Sequence, residues 1–506
     1  MPRALLSTYD NTGLERLARD LAALGWQLVA TRDTAQRLRE IGLHVMDAAT
    51  VTGEPEVLSG RTTALHPAVY AGIMARNTPE DIAELRGHRI APVDLVACNL
   101  SPFRETIARP GVSLDAALEQ IDIGGVNLLR AAAQNFERVI VLCDPEDYRH
   151  ILAILRAGGQ IDIEERRRLA AKAFALTRDY DTAIHAYLLG ADDTDPLPDA
   201  FSLVLWRLSE VRAENAHQAA ALYAHIPDAS PLGGKLLAGP PLSYTVAIDL
   251  DTALRAIAHC YEPAVAIAHY GQLTGMATGE KASEALQRAI SSDPVSAAGG
   301  AVAVNRLCDQ SFVWALGDLF VQAIAAPDFD AVARESLIVR RKLCQLLRVN
   351  PETSPPLREM RSLRGGVLMQ TPDPGDLPGA EWMVVTKRKP TRPEETALRF
   401  AWRVVQHVRS RAIVLAAPNG TVGIGSAPNR LDAIRLALYR AGDRAQGAVM
   451  AADDFFDFPD GVEMAAQAGV TAVVQPGGAL RDAAVIEAAD RRGMAMIFTK
   501  TSHIRY

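Results

Sequence analysis

The chain lacks most of the features that mark exported, membrane-spanning or metal-binding proteins. Its five cysteines are scattered among 506 residues, and none forms a Cys-x-x-Cys pair or joins histidines at zinc spacing. We therefore predict reduced core thiols, no metal site and a cytoplasmic location. No apolar run approaches the ~18 residues that a bilayer span needs, and the N-terminus lacks the three regions of a signal peptide. No membrane partner is expected.

Positive charge is also scarce, since the formal net charge is −7 and the isoelectric point is about 5.9. A nucleic-acid footprint needs a basic face, so we expect no nucleic-acid partner, whereas a local pocket for a small anion stays compatible with an acidic whole. Hydrophobic residues make up 49% and charged residues 22%, the balance of a soluble globular enzyme. At ~150 residues per domain, the length predicts roughly three units.

The first part of the chain alternates between strand and helix patterns. Residues 4–7 and 26–30 predict strands, and leucines and alanines recur with a period of 3.6 across residues 14–24. Residues 35–41 predict another helix. This βαβα order predicts a parallel sheet covered by helices, with ligands at the carboxyl ends of the strands.

A domain boundary is predicted near residue 198. A long helical pattern covers residues 163–189, and the Asp/Pro-rich residues 190–198 that follow have linker composition. We therefore assign residues 1–198 to a first domain and residues 199–506 to a second region.

The second region shows no internal repeat, but it contains two glycine-bearing turns. One, at residues 293–300, leads into a strand pattern at residues 301–304. The other, at residues 419–425, precedes a helical pattern at residues 431–441. The second turn lacks both the spacing of a dinucleotide fingerprint and the lysine of a phosphate loop, so nucleotide hydrolysis is not supported.

One stretch of the first domain combines an acid with glycines. Asp122, Gly124 and Gly125 open an Ala/Leu-rich helical pattern that extends to Asn135. Glycines ahead of a helix allow a tight turn, so that the free amides of the first helical turn face an anionic or carbonyl ligand. The alternative is an ordinary strand-to-helix connection with glycine at a positive φ. The pattern alone leaves both interpretations open.

Ten short motifs follow one another along nearly the whole chain. They are Gly60-Arg61, Leu65-His-Pro67, Asn99-Leu-Ser-Pro-Phe103, Ile121-Asp-Ile-Gly-Gly125, Arg167-Arg-Leu-Ala-Ala-Lys-Ala-Phe174, Glu214-Asn-Ala-His-Gln218, Leu242-Ser-Tyr244, Asp293-Pro-Val-Ser296, Gly423-Ile-Gly425 and Asp454-Phe-Phe456. Together they resemble the bifunctional AICAR transformylase/IMP cyclohydrolase family of purine biosynthesis. The resemblance implies an α/β protein, with an N-terminal methylglyoxal-synthase-like parallel-sheet domain followed by two cytidine-deaminase-like α/β units, usually in a homodimer.

The resemblance also implies two reactions. The C-terminal region would transfer a formyl group from the co-substrate 10-formyltetrahydrofolate to the amine of AICAR, a purine nucleotide precursor. The N-terminal domain would close the product FAICAR to IMP with loss of water, and no tightly bound cofactor is implied. His269 and Asp122 are the catalytic candidates, although a histidine at a strand end also fits a hydrogen-bonded structural role. The candidate substrate-binding residues are Ser7, Arg61, Gly124, Gly125, Arg212, Asn215, His217, Arg430 and Phe455.

The chain departs from the family pattern at polar positions. Lysines of the family pattern are replaced by Thr63, Ala68, Gln134 and Ala268, a threonine by Ala64, a tyrosine by Ser101 and the terminal histidine by Tyr506. In the phosphate cradle, Asp33 would repel the phosphate that backbone amides attract, and Arg32 offsets part of that repulsion.

Three functional hypotheses follow. In the first, the chain is the family's bifunctional enzyme with relocated catalytic groups, and the missing cation comes from one of four lysines: Lys172, Lys235, Lys281 or Lys387. In the second, it is a catalytically degenerate paralogue that binds a nucleotide or acts as a regulatory or structural subunit. In the third, it is an enzyme for a related imidazole or purine substrate.

Overall fold

The computed structural model describes residues 1–53, 64–189, 197, 202–224, 229–351, 358–376 and 379–506. The chain separates into two compact units, Met1–Ser202 and Leu203–Tyr506. The predicted boundary at residue 198 and the predicted positions Arg61 and Thr63 lie outside the described residues. Within the described residues, no helix is long and apolar enough to cross a membrane.

Unit 1 is built on a parallel sheet that, in the described part of the chain, has five strands. The strands are β1 (Arg3–Ser7), β2 (Gln27–Ala30), β3 (Val45–Asp47), β4 (Leu95–Cys98) and β5 (Ile140–Leu142). Their order is β3-β2-β1-β4-β5, and every neighbouring pair is parallel. The parallel sheet predicted from the βαβα pattern is confirmed.

Helices connect these strands because parallel neighbours need crossover connections. They are α1 (Leu14–Ala23), α2 (Arg32–Glu40), α3 (Ala48–Thr52), α4 (Pro67–Met74), α5 (Pro79–Gly87), α6 (Phe103–Ile107), α7 (Leu114–Leu118), α8 (Ile123–Gln134), α9 (Pro145–Arg156) and α10 (Ile163–Leu188). In α1 the buried side chains are Leu14, Leu17, Ala18 and Leu21, which form the apolar face that the 3.6-residue period predicts. The predicted long helix is α10.

Unit 2 is built on a mixed sheet that spans twelve strands of the described residues. Its strands are β8 (Lys235–Ala238), β9 (Ala264–His269), β10 (Gln272–Thr278), β11 (Ala301–Val304), β12 (Ala323–Ala326), β13 (Gln345–Arg348), β16 (Met383–Val384), β17 (Ala412–Ala417), β18 (Gly420–Ser426), β19 (Val449–Ala452), β20 (Ala472–Gln475) and β21 (Ala495–Phe498). Two separate hairpins pair β6 (Trp206–Glu210) with β7 (Ala221–Ala224), and β14 (Glu359–Leu363) with β15 (Gly366–Gln370).

The helices of unit 2 cover both faces of that sheet. They are α11 (Tyr244–Ile257), α12 (Ala282–Ser292), α13 (Pro294–Ala297), α14 (Gln310–Leu316), α15 (Ala331–Arg340), α16 (Arg392–Val405), α17 (Arg430–Ala441), α18 (Asp460–Gln467) and α19 (Asp482–Arg491). One apolar cluster contains α11 and α16 side chains, and two others lie under α12 to α15 and under α17 to α19.

Unit 2 contains a structural repeat that the residue pattern did not reveal. Apart from the short α13, the order helix-strand-strand-helix-strand-helix-strand-helix-strand occurs from α11 to β13 and again from α16 to β21. The sheet order is β16-β21-β20-β19-β17-β18-β10-β9-β11-β12-β13-β8, so the two halves meet where β10 pairs with β18. These halves are the two α/β units that the family resemblance implies.

Equivalent glycines support the repeat. Gly275 and Gly423 are each the fourth residue of the second strand in their half. A Cβ at Gly275 would lie 2.0 Å from the Ala289 carbonyl oxygen, and a Cβ at Gly423 would lie 2.2 Å from the Ala437 carbonyl oxygen. Both halves therefore need a glycine where a helix packs directly on the strand.

This contact predicts that Gly275→Ala destabilises unit 2. The added methyl group forces α12 away from β10, and overpacking of this kind costs about 3 kcal/mol. Urea unfolding followed by tryptophan fluorescence measures the change, since Trp206, Trp314, Trp382 and Trp402 all lie in this unit. The control is Gly87→Ala at the end of α5 in unit 1, where a Cβ meets nothing within 4 Å. Equal unfolding midpoints for the two variants would contradict the packing argument.

Candidate functional site

The first polar site lies at the carboxyl edge of the unit 1 sheet. Ser7 ends β1, Thr31 follows β2 and Cys98 ends β4, and carboxyl ends of parallel strands share one edge. The Thr31 hydroxyl donates to Ser7 Oγ at 3.1 Å instead of capping α2. The first amides of α2 therefore lack a side-chain cap and face this edge, as the phosphate cradle of the family would require.

Asp122 is both the N-cap of α8 and the acid of this site. Its carboxylate accepts the Gly125 amide at 2.7 Å, and burial raises the pKa of Asp122. Gly124 and Gly125 lie inside the helix with ordinary φ, so the alternative of a glycine at positive φ is wrong. Gly125 is needed for space instead, because a Cβ there would lie 2.5 Å from Asp122 Oδ2 and 2.9 Å from Leu100 Cδ2.

Two hydroxyl groups hold the turn before Asp122. The Tyr180 hydroxyl accepts the Asp122 amide at 2.9 Å and donates to the Gln120 carbonyl at 2.7 Å. The Ser101 hydroxyl also donates to Gln120 O and lies 3.0 Å from the Tyr180 oxygen. Ser101, which replaces the tyrosine of the family pattern, is therefore occupied in building the turn. Sequence patterns gave no signal for Tyr180.

Two other motif positions have structural roles. Gln134, which replaces a lysine of the family pattern, is the last residue of α8, whereas Asp122 caps its first turn. The twelve residues of this helix rise by about 18 Å, so the two side chains lie at opposite ends of it. His66 caps α4, with its Nδ1 accepting the Ala68 amide at 3.1 Å. Neither residue adds a charge to the Asp122 turn.

The second polar site is on the unit 2 sheet, where His269 ends β9. A two-residue turn follows, with φ of 53° at Tyr270 and 69° at Gly271. His269 Nδ1 lies 3.0 Å from the Ser296 carbonyl, and its ring stacks on Tyr270 at 4.5 Å. Because Nδ1 donates to that carbonyl, Nε2 is left as the acceptor that a general base needs.

Helix α11 connects this hairpin with the segment from Arg212 to Gln218. Buried Asp249 accepts the Gly271 amide at 2.5 Å, and burial raises the pKa of this carboxyl group. Glu214 accepts the Thr245 amide at 2.9 Å at the start of the same helix. The predicted substrate-binding residues Arg212, Asn215 and His217 are exposed on this segment. Sequence reasoning missed Asp249, although an acid on the apolar face of α11 was a readable signal.

Strand register brings Arg430 and Phe455 to the same sheet edge as His269. Ala277 near the end of antiparallel β10 faces Gly420 at the start of β18, so the start of β10 lies beside the end of β18. Arg430 follows β18 at the start of α17, and Phe455 follows β19, whose end lies beside the start of β17. The structure therefore gathers these three predicted residues along one edge.

Arg430 is buried and only partly satisfied. Its Nη1 donates to Asp453 Oδ1 at 2.5 Å and to the Ala412 carbonyl at 3.0 Å. Its Nε and Nη2 are buried without a hydrogen-bond partner in the described chain, and the guanidinium carbon lies 5.8 Å from the Phe456 ring centroid. Two unsatisfied donors beside an aromatic ring suit a planar anionic or carbonyl ligand.

None of the four lysines named above supplies a cation beside His269. Lys172 binds Asp144 and Asp147 in unit 1, each at 2.7 Å. Lys235 and Lys387 lie at or beyond the two outermost strands of the sheet, and Lys281 follows the opposite end of β10. Ala268, at the family's lysine position, is buried in the core.

Arg409 places a cation near this hairpin that sequence reasoning did not identify. A Cβ at Gly271 would lie 3.4 Å from Arg409 Nη2, so the exposed guanidinium group adjoins the hairpin that carries His269. Long-range strand pairing creates this contact, and no local pattern predicts it.

His503 anchors the C-terminal segment at the same edge. Its amide donates to the Asp453 carbonyl at 2.9 Å, and its buried ring lies 2.6 Å from Asp373 Oδ2 and 3.1 Å from Asp376 Oδ1. Burial alone would lower the pKa of His503, but the two carboxylates raise it to about 9. Within the described residues, no cluster of histidine, cysteine and acidic side chains is suited to a metal ion.

The five cysteines are all buried, which confirms the predicted core positions, and none is bridged to another.

Comparisons with known proteins match both units. A family model described as the AICARFT/IMPCHase bienzyme matches residues 132–440, and a model of the MGS-like domain matches residues 13–127. The bifunctional purine biosynthesis protein PurH of Desulfitobacterium hafniense strain DSM 10664 / DCB-2 is 44% identical, covering 100% of this chain and 99% of its own length. PurH of Chloroflexus aurantiacus is 46% identical, covering 100% and 98%. A crystal structure of ForH is 37% identical over 37% of this chain and 97% of that chain, with a TM-score of 0.35.

The Asp122 turn predicts opposite outcomes for its two glycines. Gly125→Ala pushes a methyl group against the Asp122 carboxylate and should lower the stability of unit 1 by about 1 to 3 kcal/mol. Gly124→Ala should be tolerated, because its Cβ meets only contacts of 3.9 and 4.0 Å. Thermal unfolding of both variants measures the difference, and a Gly124→Ala variant as unstable as Gly125→Ala would contradict the geometry.

His503 predicts a stability loss at alkaline pH. Its folded pKa of about 9 lies above the ordinary value of 6.5, so its stabilisation is complete below about pH 6.5 and is lost as pH rises through 9. The hydrogen bond with His503 lowers the pKa of Asp373 below its ordinary value of 3.8. The stability that this carboxylate contributes is therefore lost only as the pH falls below about 3.8. Unfolding midpoints between pH 6 and 10 should fall for the wild type, and the His503→Gln variant should show a shallower slope. Parallel slopes would refute the assignment.

Proposed function

The chain belongs to the AICARFT/IMPCHase bienzyme family, and on that premise we propose that it formylates AICAR with 10-formyltetrahydrofolate and closes the product to IMP. It is a purine-biosynthesis enzyme of the formyltransferase and cyclohydrolase type. The supporting observation is that similarity to the PurH proteins spans this whole chain and 98 to 99% of theirs. Each unit also carries its own polar site, one centred on Asp122 and the other on His269.

Ring closure suits the Asp122 site. The carboxamide nitrogen of FAICAR attacks the formyl carbon, and one of its protons passes to the formyl oxygen. The C–O bond then breaks, and the oxygen leaves as water with the proton of the formylated nitrogen. Asp122, whose pKa is raised by burial, would accept and return both protons. The uncapped first turn of α2 would hold the phosphate.

Formyl transfer suits the edge that carries His269. The AICAR amine attacks the formyl carbon of the folate, its proton passes to His269 Nε2, and the same proton goes to the leaving folate nitrogen. The Arg409 cation would stabilise the oxyanion of the tetrahedral intermediate, in place of the lysine that Ala268 replaces. Arg430 and Phe455 would hold the AICAR ring and its carboxamide.

A second candidate function is the degenerate paralogue, in which the chain binds a nucleotide without turnover. The observations that favour it are the buried Ala268 and the occupied hydroxyl of Ser101, both at polar positions of the family pattern. It predicts binding of AICAR or IMP and no product from either step.

We also propose that the chain forms a homodimer. We further propose that it uses the folate as co-substrate and is located in the cytoplasm. The β14–β15 hairpin forms its own two-stranded sheet and exposes Met360, Leu363, Val367 and Leu368. An isolated hairpin is marginally stable in water, so a second copy of the chain is the occupant that would bury these side chains. Analytical ultracentrifugation tests this assembly, and a monomer at micromolar concentration would refute it.

The two sites predict a crossed pattern of losses. Asp122→Asn should slow conversion of FAICAR to IMP about 10² to 10⁴-fold while leaving formyl transfer intact, because it removes a general base but keeps an N-cap. His269→Gln should slow formyl transfer by a similar factor and leave ring closure intact. Separate assays with FAICAR, and with AICAR plus 10-formyltetrahydrofolate, measure both rates. If each variant lost both activities equally, the assignment of one step to each site would be refuted.

A further inference from the structure

Tyr70 lies on the helix that faces the Asp122 turn. It is in α4, which packs against α8. Ala64, just before that helix, lies 4.0 Å from the place that a Cβ would take at Gly124. The start of α4 therefore adjoins the residues on which the proposed ring closure depends.

The Tyr70 hydroxyl is buried and has no hydrogen-bond partner in the described chain. Burial raises the pKa of Tyr70 to about 12, and the neighbouring Cys98 and Asp122 groups contribute to the rise. The hydroxyl therefore keeps its proton at neutral pH and can donate it in a hydrogen bond to an incoming acceptor. A buried polar group left unsatisfied destabilises the protein, and a ligand acceptor would offset that cost.

The other hydroxyl groups around the turn are occupied. Ser101 and Tyr180 both donate to the Gln120 carbonyl. Thr31 donates to Ser7, whose side chain also interacts with Cys98. Of the hydroxyl groups described here around Asp122, that of Tyr70 keeps a proton with no acceptor.

We propose that Tyr70 is a further catalytic residue of the ring closure, whose hydroxyl donates a hydrogen bond to the formyl oxygen of FAICAR. The proposal rests on the proposed function of this site. As the carboxamide nitrogen attacks, the C=O electron pair moves onto that oxygen, and a donor aimed at it stabilises the developing charge. Asp122 still carries the two protons that leave with the water, so Tyr70 ends each cycle protonated.

Tyr148 provides a matched control in the same unit. Its hydroxyl is also buried without a partner, and burial likewise raises its pKa. The titratable groups that raise it further are Cys98, Cys143, Asp10 and Asp144, and Asp122 is not among them. An unsatisfied hydroxyl is therefore not in itself a catalytic feature, and the position beside Asp122 distinguishes Tyr70.

The test compares the full-length Tyr70→Phe and Tyr148→Phe variants with the wild type. We expect Tyr70→Phe to lower kcat for FAICAR cyclisation about 10²-fold, the typical effect of losing one oxyanion donor. KM for FAICAR should change little, and the thermal unfolding temperature should not fall, because the lost hydroxyl is buried without a partner in the free protein. Tyr148→Phe should retain the wild-type kcat.

Three results would overturn the proposal. If the wild type cyclises FAICAR and Tyr70→Phe does so at an equal rate, Tyr70 is not catalytic, while the proposed function stands. If both variants lose activity equally, the effect belongs to any buried hydroxyl of this core. If the wild type itself does not cyclise FAICAR, the proposed ring closure fails, and the role of Tyr70 fails with it.

Discussion

The antiparallel pairing of β10 with β18 is the interaction on which unit 2 depends. It joins two nine-element repeats into one continuous sheet, and its register sets the start of β10 beside the end of β18. His269 from the first half and Arg430 from the second therefore share one edge. Neither half alone would bring these candidate residues together, because they come from both halves.

The polar groups retained at the two sites have structural partners as well as proposed chemical roles. Asp122 caps α8 with one oxygen, and burial raises the pKa of the same carboxyl group. Arg430 pairs with Asp453 through Nη1 and keeps two buried donors unsatisfied. Other polar groups lie near the positions where the family's lysines are replaced: the Arg409 guanidinium adjoins the hairpin of His269, and the Tyr70 hydroxyl is buried without a partner in the described chain. The chain therefore keeps motifs of the family, while charged groups near the two sites come from other positions in the sequence.

Local patterns predicted the elements of the fold better than the sites. The βαβα alternation, the face of α1 and the extent of α10 follow from residue periodicity, which acts within one element. Family motifs located Asp122, His269 and Arg430. The residue pattern did not reveal the repeat of unit 2, because topology depends on burial pattern and strand length. Many different sequences share the same burial pattern and strand lengths.

The contacts of Arg409, His503 and Tyr70 were not predicted from the sequence for another reason. Each depends on groups far away in the chain, and strand register or helix packing brings them together. Gly125 shows the same limit at short range, because it was predicted to serve a turn and instead makes room for the carboxylate it binds.

The most direct measurement is the conversion of AICAR and 10-formyltetrahydrofolate to IMP by the purified full-length chain, followed by mass spectrometry of the nucleotides. Retention of both sites predicts that IMP accumulates with FAICAR as a transient intermediate. If AICAR binds and neither FAICAR nor IMP forms, the chain is a nucleotide-binding paralogue, and the account of two working sites is contradicted.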